Sequence, residues 1–101
     1  MAQLWAVVGD NNTDGGGSLT LSGDSSPDTV FIGGIAVIVG TTDANPDSQC
    51  DIVGPPHCDP FSTAFSGTVF AYGKGAHRNN DARVCGATTI VSNQSTVFTD
   101  G

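Results

Sequence analysis

One tripeptide occurs three times in this chain, as Thr29-Val30-Phe31, Thr68-Val69-Phe70 and Thr96-Val97-Phe98. Each copy runs into a turn: Gly33-Gly34 after the first, Gly73-Lys74-Gly75 after the second, Asp100-Gly101 after the third. Thr, Val and Phe favour extended backbone, and glycine supplies the positive φ of a tight hairpin, so each copy reads as strand then turn. A returning strand, Ile35-Ala36-Val37-Ile38-Val39, follows the first turn, and Ala76 to Asp81 follows the second. Nothing follows the third, but the chain opens with Ala6-Val7-Val8-Gly9-Asp10, which has the form of the missing return strand. Gly9-Asp10 is expected where Gly40-Thr41 and Asn80-Asp81 stand in the other copies. The third unit is therefore split between the two ends of the chain. If its halves pair, three similar faces close into a ring with pseudo-threefold symmetry, and open sheet edges disappear. Such an object suits a partner with a true threefold axis.

The rest of the chain agrees with this. Fourteen glycines and five prolines in 101 residues interrupt every window long enough for a helix. The expected fold class is a small all-β domain of short hairpins, with few or no helices, spanning residues 1–101. Leu19 and Leu21 alternate with polar residues as a strand would, and Thr88-Thr89-Ile90-Val91 reads as another strand. Residues 41–60 carry Pro46, Pro55, Pro56 and Pro60 and form a shaped loop. The formal net charge is −7, with Lys74, Arg78 and Arg83 the positive residues, which excludes binding to phosphate backbones. No apolar run approaches the roughly 20 residues of a membrane-spanning helix. The opening segment has neither the basic region nor the apolar core of a signal peptide, so synthesis in the cytosol is expected.

Cys50, Cys58 and Cys85 are an odd number of cysteines, which argues against a disulfide framework, although a Cys50–Cys58 bridge stays open. With His57 and His77 they make metal binding the sharper reading.

The second unit, GTVFAYGKGAHRNND at 67–81, resembles the repeat of the PAAR family, whose units read like SPTVFVNGKPAARVGD. The first, SPDTVFIGGIAVIVG at 26–40, is similar, as are RVCGATTIVSNQSTVF at 83–98 and the opening AVVGD. The literal PAAR string is replaced by Gly75-Ala76-His77-Arg78, and Asp14-Gly15-Gly16 stands where the family often has His-Gly-Gly. The resemblance implies a short cone that caps and sharpens a trimeric β-helical spike of a contractile, membrane-piercing machine. A phage tail baseplate is favoured, and a type VI secretion tip or adaptor is the alternative. It implies a location in the virion or secretion by the contractile system. The implied partners are the spike or hub protein and the target cell envelope, and no nucleic acid. The base is expected to bury apolar side chains such as Leu4, Trp5 or Phe31. The resemblance further implies a structural metal at the apex, held by Cys50, His57, His77 and Cys85. Cys58 rivals Cys50, and zinc is favoured over iron.

No catalysis is expected: neither a G-x-S-x-G elbow nor a P-loop occurs. The enzyme alternative is a small metallohydrolase using His57, His77 and Asp59 or Asp81. A ligand-binding β-domain is the other alternative, and Trp5 and Tyr72 are too scattered to make an aromatic platform.

Overall fold

The computed structural model describes residues 3–26 and 30–99. The expected positions Thr29 and the turn Asp100-Gly101 lie outside them. Among the described residues the fold is all-β apart from a single 3-10 turn, Gly23–Ser25. The strands are β1 (Gln3–Leu4), β2 (Asn11–Asn12), β3 (Phe31–Ile32), β4 (Ile35–Ala36), β5 (Phe70–Ala71), β6 (Lys74–Gly75), β7 (Thr89–Ile90) and β8 (Phe98–Thr99).

Two hairpins form as the repeats require. β3 pairs with β4 across Gly33-Gly34, and β5 pairs with β6 across Tyr72-Gly73. Both central residues of each turn have positive φ, 58° and 82° in the first and 55° and 74° in the second. These are the tight turns whose twist matches that of the flanking strands. The second turn is one residue earlier than the sequence suggested, so Lys74 and Gly75 belong to the returning strand. The split unit closes: β1 pairs antiparallel with β8, Leu4 opposite Phe98 and Gln3 opposite Thr99.

The three return strands then hydrogen-bond to one another in a ring. The Ala6 amide donates to the His77 carbonyl (2.8 Å), Ile38 to Ala6 (2.9 Å) and His77 to Ile38 (3.0 Å). A second cycle repeats the pattern: Val8 to Ala36, Gly40 to Gly75 and Asn79 to Leu4, each at 2.9 Å. Trp5, Val37 and Ala76 donate outward to Val97, Val30 and Val69, the middle residues of the three triplets. Ala6, Ile38 and His77 are thus equivalent positions of a pseudo-threefold arrangement. The register sets Thr41-Thr42, not Gly40-Thr41, opposite Gly9-Asp10 and Asn80-Asp81. Ala6-Val7 and Ala36 to Val39 are buried on both faces, which is why these two return strands read as unbroken apolar runs. Ala6, Leu19, Ile38, Ala44 and Val91 form one core cluster; Val7, Ile32, Val37 and Val39 form the other. Leu4 packs on the first, and Trp5 packs on the second while donating its indole N–H to the Ile38 carbonyl at 3.0 Å.

A second tier follows with the same symmetry. Leu19 bridges Ala44, Ser62 bridges Arg83, and Asn12 pairs with Thr89. Each unit leaves this tier, makes an excursion and returns: residues 13–18, 45–61 and 84–88. The excursions converge at one end of the molecule, and they carry the candidate site.

Candidate metal centre

The excursions bring Asp14, Asp47, His57 and Cys85 together, with one ligand-type atom from each lying within 4.8 Å of the other three. Asp14 lies two residues after Asn12, and Cys85 lies two after Arg83, so they hold equivalent places in two units. Pro46 has that place in the remaining unit, which contributes its neighbour Asp47 and, from the far side of the long loop, His57.

Each side chain is positioned locally. The Asn12 Oδ1 accepts the Asp14 amide at 3.0 Å, and the Asn12 amide group donates to Asp47 Oδ2, also at 3.0 Å. Gly17 makes room for this: a Cβ there, at φ +68°, would come within 2.5 Å of Asn12 Nδ2. Ser48 ties the first two loops together, its hydroxyl to the Asp14 carbonyl and its amide to that of Gly15. Asp47 Oδ1 accepts the Gln49 amide at 2.9 Å. Cys85 sits in a tight turn closed by Arg83 N–H to the Ala87 carbonyl at 2.8 Å.

Two carboxylates compete for one imidazole nitrogen. His57 Nδ1 is 3.1 Å from Asp47 Oδ2 and 3.3 Å from Asp14 Oδ2. Cys85 Sγ is 3.7 Å from the same Asp47 oxygen. Burial alone would raise the Asp47 carboxyl, but hydrogen bonds from Asn12, His57 and the Gln49 amide outweigh it and hold the group below its ordinary range. The Cys85 thiol is pushed up, first by burial and then by the charges of Asp47 and Asp14, against the pull of the Ala87 amide. Two carboxylates and a thiol thus gather around one imidazole. A divalent ion would satisfy both carboxylates and deprotonate the thiol. One imidazole, one thiolate and two carboxylates are a mixed donor set that zinc accepts. Tetrahedral zinc spaces its ligand atoms roughly 3.3–3.8 Å apart, so the cluster would contract by about 1 Å.

Of the expected ligands, the structure brings His57 and Cys85 into the cluster and leaves two elsewhere. Cys50 is bonded to Cys58 in a disulfide, so its sulfur has no thiolate to offer, and the question of Cys50 against Cys58 does not arise while the bond is intact. His77 is fully buried in the strand ring. Its Nδ1–H donates to the Ala64 carbonyl at 2.7 Å, and its Nε2 accepts the Thr89 hydroxyl at 2.6 Å, so both nitrogens are used. Asp14 and Asp47 take the places of these two. Asp14 had a signal, since it stands where the PAAR pattern often has histidine. Asp47 had none among ten acidic residues.

No family model, no curated protein and no solved structure matches the chain.

Proposed function

We propose that this protein is a PAAR-like spike tip, a rigid cap for the end of a trimeric β-helical spike in a contractile injection machine. The observation that carries the reading is the closed pseudo-threefold ring made by one chain. A single subunit with three equivalent faces can seat on three identical chains without leaving two of them unmatched. The equivalent positions Phe31, Phe70 and Phe98 support it: their exposures are 55%, 55% and 56%, so the symmetry of the backbone is repeated in an apolar set open to solvent. Leu4 and Trp5 pack inward, which leaves the phenylalanines as the side chains for a partner to cover. At the loop end, Asp14, Asp47, His57 and Cys85 would hold a structural ion, zinc by the donor set, that binds the three excursions together. Four protein ligands leave no position for a catalytic water, which suits a mechanical part.

The test is association with the trimeric spike protein of the contractile machine encoded in the same genome, followed by size-exclusion chromatography with light scattering. One copy per trimer is expected. Replacing Phe31, Phe70 and Phe98 together by serine should weaken binding roughly 100-fold, from about 1 kcal/mol of apolar burial per ring. A wild-type chain that stays apart from the spike at micromolar concentration would defeat the reading.

A further inference from the structure

The Cys50–Cys58 disulfide lies outside the strand ring and both core clusters, yet it closes the loop that delivers His57. The bond spans eight positions and joins Cα atoms 4.7 Å apart. His57 immediately precedes Cys58. Its carbonyl accepts the Asp47 amide at 2.9 Å, while the Cys50 amide donates to the Asp47 carbonyl at 3.1 Å. Both ends of the disulfide-closed segment are therefore tied to Asp47. Between them the chain has little to hold it. Ile52 and Val53 are 76% and 62% exposed, and their amides bond only within the loop, to the Gln49 carbonyl.

The other three cluster residues are fixed independently of this bond. Asp14 is set by Asn12 and Ser48, Asp47 by Asn12 and the Gln49 amide, and Cys85 by the turn between Arg83 and Ala87. His57 alone sits on a segment whose covalent closure is the disulfide.

We infer that the Cys50–Cys58 pair is a redox switch on the cation site, its oxidised form holding His57 in the ligand set and its reduced form releasing it. This rests on the reading of the cluster as a cation site. The chemistry is a two-electron reduction. Two equivalents of a thiol reductant break the S–S bond, Cys50 and Cys58 each gain a hydrogen, and the reductant becomes a disulfide. Opening the loop returns conformational freedom to the segment, and the ion keeps Asp14, Asp47 and Cys85.

The test measures zinc affinity by chelator competition on the full chain, with and without a water-soluble phosphine. The phosphine becomes its oxide, with oxygen from water, as the bond is reduced. Affinity should fall about tenfold or more on reduction, in line with the loss of a held ligand. A Cys50→Ser/Cys58→Ser variant should show the weaker affinity from the start and ignore the phosphine. Trp5 fluorescence follows the strand ring and should stay unchanged throughout. Equal affinity in both states overturns the switch and leaves the cation site standing. Tighter binding after reduction overturns it too, because the freed thiols would then be joining the site. Loss of the Trp5 signal overturns it by showing that the bond holds the whole fold. Absence of zinc binding in either state removes the site and the switch together.

Discussion

At the position equivalent to Ala6 and Ile38, the second unit has His77, and a chain of directed hydrogen bonds makes that tolerable. Arg83 Nε–H donates to Thr89 Oγ1 at 2.6 Å, the Thr89 hydroxyl donates to His77 Nε2, and His77 Nδ1–H donates to Ala64. The chain requires a neutral imidazole. Burial, with the Arg83 charge acting the same way against the Ala64 hydrogen bond, lowers the His77 pKa from 6.5 to about 4. The unfolded chain therefore takes up a proton first as pH falls. The stability that His77 contributes is complete above about pH 6.5 and is lost progressively down to about pH 4, by about 3 kcal/mol at most. Urea unfolding at pH 7, 5.5 and 4.5 should show this slope, and His77→Gln should flatten it. Arg83 is 2% exposed and donates to the carbonyls of Gly17 (2.8 Å), Pro60 (3.0 Å) and Asp10 (3.2 Å), linking all three units. Its burial lowers its pKa to about 10, so it stays charged at neutral pH. Arg83→Met would leave the buried Gly17 and Pro60 carbonyls without their donor, while the Asp10 carbonyl keeps the Leu19 amide at 3.0 Å. It should cost about 3–5 kcal/mol, seen as a lower urea midpoint or as failure to fold.

At the scale of elements, the hairpins were legible because each carries its own local signal. Val and Phe mark the strand, and Gly33-Gly34 marks the turn. Tyr72 hid the second turn by one residue, since a non-glycine residue at φ 55° is uncommon. Closure of the third unit was legible because the opening Ala6-Val7-Val8 has the form of a return strand and Thr96-Val97-Phe98 repeats the triplet of the other two units. The second tier was not: β2 is Asn11–Asn12, and nothing in two asparagines announces a partner near residue 90. Likewise a histidine in sequence does not declare which way it faces, and His77 faces the core because its strand position does. The ring gives a direct prediction. Residues 5–8 supply one of its three strands, so deleting residues 1–10 removes Ala6 from the ring and unpairs β8. Light scattering should show aggregation of the truncated chain at micromolar concentration, from the sheet edges this exposes. A monomeric truncation with native-like amide spectra would contradict the role given to the N-terminal strand.

For the molecule as a whole, the two ends differ in what stabilises them. Toward the hairpins, interlocked return strands enclose the apolar clusters. Toward the excursions, no residue belongs to either apolar cluster, and the loops are linked by Ser48, Asn12 and the candidate ligands. A bound ion would act where packing is least able to. It binds the folded state and should raise stability by about 2.7 kcal/mol at zinc concentrations about 100-fold above the dissociation constant. For a domain of this size that is a rise of roughly 10–20 °C in Tm. Cys85→Ala should abolish most of the rise while leaving the metal-free Tm nearly unchanged, because Cys85 is only partly buried and lies outside both core clusters. The sign of the pH dependence follows from the thiol. Its pKa is raised, so at neutral pH zinc must displace its proton, and each unit of pH lost should weaken binding by about tenfold from this group alone. The zinc-induced rise in Tm should therefore shrink between pH 8 and pH 6, in differential scanning fluorimetry with and without the ion. A rise that is insensitive to pH and survives Cys85→Ala would place the ion elsewhere, and the three excursions would then be joined to one another by hydrogen bonds alone.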